Sequence, residues 1–194
     1  VEACRPALNR ADALLRELRI SEFAQLSDML PSALDQRLIN LALTLKTHAA
    51  EPSEAKLQQV ELQADRALKH ALMNDQRPRM KQVEMARRLA RWLLSPMACG
   101  TLLPEAVEWQ ADQGAYVDWA RFRLLGGDEL TELSDAYAAC RRAVIARRDG
   151  FAKPFAQALV QWNAQTPPSV GRVVPLEQVL DRVVAPIAAE QPVL

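Results

Sequence analysis

The sequence predicts an all-α chain, and three features carry that expectation. Apolar residues recur at helical spacing, and the pattern restarts after Pro, Gly, Ser or Asp. No stretch alternates apolar and polar residues as a half-buried strand would. Apolar residues make up 49% of the chain but aromatics only 5%, so Leu, Ala and Val must fill the core, a composition suited to helix-on-helix packing. The expected architecture is an irregular multi-helix bundle of roughly eight to ten helices, followed by a linker and a final helix. The domain reading is a helical bundle over 1–165, then a linker and helix over 166–194 that enter a further domain.

The elements follow in order. Pro6 opens a helix near 6–19 with Leu8, Ala11, Leu15 and Leu18 on one face. A turn around Ser21 and a short apolar segment, Phe23 to Leu30, precede Pro31. Ser32 is the expected N-cap of a helix to about 48. Leu34, Leu38, Leu41 and Leu45 form its stripe, and Ile39 and Leu43 on another side suggest burial on more than one face. Pro52 and Ser53 punctuate the chain, and Leu57, Val60, Ala64, Ala67, Leu68 and Ala71 then form the stripe of a helix ending near 74. Pro78 begins a strong helix to about 95, with Met80, Val83, Ala86, Ala90, Leu93 and Leu94 on one arc. Pro96 and Gly100 break it.

Pro104 opens a short helix that Gly114 is expected to close, and Tyr116 to Leu125 forms another. Gly126-Gly127-Asp128 combines a helix stop with a cap. Leu130, Leu133, Tyr137, Cys140 and Val144 carry the next helix to about 149. Gly150 and Pro154 predict a kink or restart before Phe155, Leu159 and Trp162. Thr166 to Gly171, with Pro167 and Pro168, reads as the linker. Val173 and Val174 are expected to be extended, and Pro175 then starts a final helix that Pro186 ends.

Charge and composition exclude several classes. Lys plus Arg equals Asp plus Glu at 24 each, whereas a protein built to hold phosphate backbones usually carries a positive excess. Cys4, Cys99 and Cys140 lack the short spacing of a zinc or redox pair and read as free thiols of a cytoplasmic protein. No apolar run approaches the roughly 20 residues of a membrane span, and the N-terminus has no signal-peptide pattern. A start at Val1 and an apolar finish at Leu194 read as a piece of a longer polypeptide.

Candidate chemistry is sparse. His48 is placed at a helix end, where the dipole favours a cation, and His70 mid-helix without ligand spacing. Cys140 lies on an apolar stripe, while Cys99 is the thiol expected to be exposed, with no flanking group to lower its pKa. Gly126-Gly127 has no following lysine to make a phosphate loop. Glu105, Glu108 and Asp112 share a helix face, which is better read as solvated carboxylates complementing a dipole than as a hard-cation site. Arg141, Arg142, Arg147 and Arg148 spread over different faces. The best candidate surface is the stripe of Arg77, Lys81, Arg88 and Arg91, with Glu84 among them and Trp92 at its margin. It suits an acidic partner or a phosphate backbone; as a plain solvated face it would instead pair Glu84 with Arg88.

Four stretches carry a resemblance: RADALLREL (Arg10–Leu18), SDMLPSALDQRL (Ser27–Leu38), EMARRLARWL (Glu84–Leu93) and VVPLEQVLDRVVAPIAAEQPVL (Val173–Leu194). With them, most of the chain resembles the helical region upstream of the phosphatase domain in PglZ proteins of BREX phage-defence systems, particularly the type 2 branch. In that family a proline-led helix runs into an apolar strand that delivers the first metal-binding aspartate of an alkaline-phosphatase-like domain. The matching positions are helix-surface patterns, and none of the family's catalytic residues falls on this sequence. The resemblance therefore implies a non-catalytic scaffold that docks other defence proteins, with a divalent metal and hydrolysis belonging to a downstream domain. Leu176, Val179, Leu180, Val183 and Ile187 are the expected packing face toward that domain. Direct DNA contact through the Arg77–Arg91 stripe is the less favoured expectation.

Overall fold

The computed structural model describes residues 4–96, 102–164 and 173–190. Cys99, Gly100 and the linker expected over Thr166–Gly171 lie outside the described residues. The fold is an all-α multi-helix bundle with a final helix near the C-terminus, and no strand occurs among the described residues. Its helices are α1 (Arg5–Glu17), α2 (Pro31–Ala50), α3 (Glu54–Leu68), α4 (Arg77–Trp92), α5 (Leu103–Trp109), α6 (Ala115–Arg123), α7 (Thr131–Asn163) and α8 (Ala185–Glu190). The chain divides into two compact units, residues 1–96 with 116–148, and residues 97–115 with 149–194.

In the first unit α2 packs on α3, α3 on α4, and α2 on α4. The predicted α2 stripe of Leu34, Leu38, Leu41 and Leu45 is fully buried, as are Val60, Ala64 and Ala67 of α3 and Val83, Ala86, Leu89 and Ala90 of α4. Each large aliphatic side chain so buried stabilises the fold by about 1.5–3 kcal/mol. Leu133, Tyr137, Cys140 and Val144 of α7 are buried as well, and burial pushes the Cys140 thiol up to about 12. Ile39 is half-buried but Leu43 is exposed, so the second side of α2 is only partly covered.

Helix ends differ from the sequence reading where a distant side chain supplies the cap. Ser32 does not cap α2, which starts at Pro31 behind Leu30. The buried Asp12 carboxylate of α1 instead accepts the Ser32 backbone N–H (2.9 Å) and hydroxyl (2.7 Å). A cap twenty positions away in sequence leaves no local signature. At the other end of α1, Arg19 adopts a left-handed conformation (φ 57°). The Ile20 and Arg19 N–H groups bond back to the Leu15 and Arg16 carbonyls, closing the helix without a glycine. Ser53 caps α3, accepting from the Lys56 N–H.

Both histidines are buried rather than at the surface. His48, in the last turn of α2, places Nε2 2.9 Å from the Ala90 carbonyl oxygen of α4. His70 is not mid-helix: α3 ends at Leu68, and a 3-10 turn covers Ala71–Asp75. The His70 Nδ1 accepts the Leu72 N–H at the start of that turn. Burial, then the Arg37 guanidinium, hold the His70 imidazole below its ordinary value.

The turn before α7 is the other polar anchor. Gly127 has φ 65°, the left-handed geometry that glycine adopts without strain. Asp128 follows, accepting the Leu130 N–H (2.9 Å), so it shapes an Asx turn rather than capping α7 itself. Its buried carboxylate also takes both arms of the Arg79 guanidinium. Burial opposes the Arg79 charge, but the Asp128 hydrogen bond and charge outweigh it and hold the guanidinium above its ordinary value. Burial, with the Asp128 charge, pushes the Tyr137 phenol up.

In the second unit Leu103, Ala158 and Trp162 form a small core joined by Val107 and Phe155, and the Trp109 and Phe151 rings stack at 4.6 Å. Gly150 and Pro154 do not restart α7; both lie inside its 33 residues. Gly114 does not end a helix either, since a π-helical turn over Gln110–Gly114 follows α5 directly and leads into α6. Pro186 likewise fails to end the last helix. A π-helical turn over Leu180–Val184 carries the Ala185 N–H to the Leu180 carbonyl, and Pro186, which has no N–H to place, then sits in the first turn of α8.

Two outcomes follow from this packing. Asp128→Asn keeps the turn but strips the Arg79 charge of its counterion, and urea denaturation should read a loss of about 3 kcal/mol, partly recovered by adding Arg79→Met. The depressed His70 pKa means that the unfolded chain binds its proton first. Stability is therefore full above the ordinary imidazole value of 6.5 and falls as pH drops below it. His70→Asn should flatten that part of the stability–pH profile.

Candidate interaction surface

The four basic residues singled out on α4 do not share one fate. Arg77 and Lys81 are exposed. Arg91 is exposed but its guanidinium grips both oxygens of Glu61 on α3, one of them at 2.7 Å. Arg87, beside it, reaches Asp65 at 2.8 Å and Glu61 at 3.8 Å. The flank of α4 that faces α3 is thus neutralised. On the other flank Arg88 is not engaged as the i, i+4 pair with Glu84; its guanidinium donates to the Tyr116 hydroxyl of α6 and lies 5.6 Å from that ring's centroid.

That contact brings α6 into the site. Val117, Ala120 and Leu124 are buried, so the opposite arc of α6 carries Tyr116, Trp119, Phe122 and Arg123. Trp119 is 47% and Phe122 69% exposed. The Tyr116 and Trp119 rings meet at 5.9 Å, and the Arg123 guanidinium lies 5.4 Å from the Trp119 centroid. Gln82 of α4 donates to the Gly127 carbonyl (3.1 Å) and the Arg123 carbonyl (3.5 Å), and the Tyr116 hydroxyl donates to Met85 Sδ (3.6 Å). Because Gln82 meets the end of α6 and Arg88 its beginning, the two helices run antiparallel and form one surface.

Other candidates have structural duties. Asp118 pairs with Arg121 (3.3 Å) and Arg148 (2.9 Å). Arg147 donates to the Leu93 and Ser95 carbonyls just beyond α4 and lies over Trp92, its pKa lowered by burial. Arg142 is exposed and Arg141 partly buried. The Glu105 carboxylate accepts the Leu102 N–H (3.5 Å), and Asp112 falls in the π-helical turn. Among the described residues no group of three His, Cys, Asp or Glu side chains is placed to hold a metal ion, and no described helix is long and apolar enough to cross a membrane. A cleft of about 810 Å³ beside the Arg79–Asp128 pair is lined by charges of both signs, including Asp35, whose pKa burial raises.

Of the apolar set expected to face a downstream domain, Leu176, Leu180, Val183 and Ile187 are exposed and Val179 is half-buried. Sequence reasoning named the α4 cations but missed Trp119, Phe122 and Arg123. Their signal was present as aromatics at 116, 119 and 122, a spacing that lines one side of a helix. No family model, curated protein or solved structure matches the chain.

An aromatic face that is truly external should be dispensable for folding. Phe122→Ser should change unfolding free energy by no more than about 0.5 kcal/mol in a thermal or urea melt, whereas Tyr137→Ala should lose about 3 kcal/mol or more.

Proposed function

We propose that this chain is a non-catalytic helical interaction module, of the kind that precedes the alkaline-phosphatase-like domain in PglZ-type phage-defence proteins. In this reading it positions that domain and docks other proteins of the defence system, and the divalent metal and hydrolysis belong downstream. The observation that carries the interaction role is the surface on which Arg88 of α4 and Arg123 of α6 border the exposed rings of α6. Trp, Tyr and Arg are the residues most often responsible for binding energy at protein interfaces. The exposed apolar side chains of Leu176, Leu180, Val183 and Ile187 support a second contact, toward the downstream domain. The four sequence stretches that resemble PglZ proteins support the assignment to that system.

The competing nucleic-acid reading needs Arg77, Lys81, Arg88 and Arg91 as one cationic track. Arg91 is already engaged by Glu61, and the chain has no net positive charge.

Phosphomonoester and phosphodiester hydrolysis, assayed with added divalent metals, tests the proposal on this chain beside a polypeptide that continues past Leu194. Activity is expected only in the longer polypeptide. Hydrolysis by this chain alone, or a reading frame past Leu194 that encodes no alkaline-phosphatase-like domain, overturns the assignment.

A further inference from the structure

We propose that Arg88, Tyr116, Trp119, Phe122 and Arg123 form a docking site for an acidic amphipathic helix of a protein partner. This deepens the interaction-module reading and rests on it. Charge selects the partner's sign. Arg88 and Arg123 flank the rings, Arg77 and Lys81 are exposed on the same α4 stripe as Arg88, and Glu84 is the carboxylate among them. Arg88 and Arg123 each lie over a ring, Tyr116 and Trp119, which holds the guanidinium in place while N–H groups remain for a carboxylate.

Shape selects a helix. Trp119 and Phe122 stand one turn apart on α6, about 4.5 Å along its axis at 1.5 Å per residue, and α4 runs antiparallel alongside. Two neighbouring helices, one with an apolar ridge and the other with cations, match a third helix that carries apolar anchors and carboxylates at i, i+3 and i+4.

The same features disfavour a nucleic-acid strand. Glu61 and Asp65 neutralise Arg87 and Arg91, so the positive charge is a patch and not a track. Arg123 covers one face of Trp119, and Tyr116 is tilted 48° against it, which leaves poor platforms for successive bases.

The test is fluorescence anisotropy with the intact chain and three labelled probes. One is a synthetic helical peptide with Leu and Glu on a common face, the second is its Glu→Gln counterpart, and the third is single-stranded oligothymidine. The acidic peptide should bind about tenfold or more tightly than the Gln peptide, and Arg123→Glu or Phe122→Ser should each weaken it by about tenfold. Both side chains are exposed, so circular dichroism should show the variants folded. Equal binding of the two peptides, no binding of the acidic peptide, or a preference for oligothymidine overturns the proposal. If Leu180→Ser with Ile187→Ser abolishes peptide binding while Arg123→Glu does not, this surface is wrong but the interaction-module reading stands.

Discussion

The ion pair between Arg79 and Asp128 joins the first turn of α4 to the turn that precedes α7, across 49 positions of sequence. Its geometry depends on Gly127, whose left-handed backbone lets the chain reverse before Asp128. Gln82, about one turn of α4 beyond Arg79, then reaches the Gly127 and Arg123 carbonyls. The end of α6 is thereby held against α4, and Tyr116 comes to lie beside Arg88. Without the buried carboxylate, Arg79 would carry an unmatched, half-buried charge at the edge of a polar cleft. The outer surface is set by this inner contact, although none of its own side chains takes part in it.

Small residues make the other constraint. Ala64, Ala67, Ala86 and Ala90 are fully buried, which brings helix backbones close and leaves little room for adjustment. His48 uses that proximity: its ring meets the Ala90 carbonyl from across the α2–α4 contact. That contact satisfies Nε2, while the buried Nδ1 of the same ring has no hydrogen-bond partner among the described residues.

Much of the fold was legible because burial and periodicity coincide. The α2 stripe, Val83, Ala86, Ala90 and Leu93 of the α4 arc, and the run Leu133, Tyr137, Cys140 and Val144 are all buried, and each was readable from spacing alone; Met80 and Leu94 of that arc are half-buried. Illegible features depend on partners distant in sequence, or on backbone adjustments that leave the composition unchanged. Asp12 capping α2, His70 leaving its helix, and the π-helical turns at Gln110–Gly114 and Leu180–Val184 belong to that group. Proline and glycine mislead for a related reason. They lower the stability of a helix locally, yet tertiary contacts such as those of Phe155, Ala158 and Trp162 carry α7 past Pro154. The candidate surface was half legible: α4 offered its cations to inspection, while the neutralisation of Arg91 and the aromatic side required knowing which helix lies on which flank.

That division of α4 is itself a physical argument about selectivity. Its α3 flank pairs arginine with carboxylates and gains structural fixity, while its α6 flank pairs arginine with rings. A ring orients a guanidinium without cancelling its charge, whereas a carboxylate does both. Exposed charge left uncancelled is cheap to keep in water and repels cationic partners as readily as it attracts anionic ones. The apolar area of Trp119 and Phe122 then discriminates among anions, because a phosphate or a free carboxylate gains nothing from burying it, while an amphipathic helix does. Charge on one helix and apolar surface on the next together define a partner more narrowly than either stripe does alone.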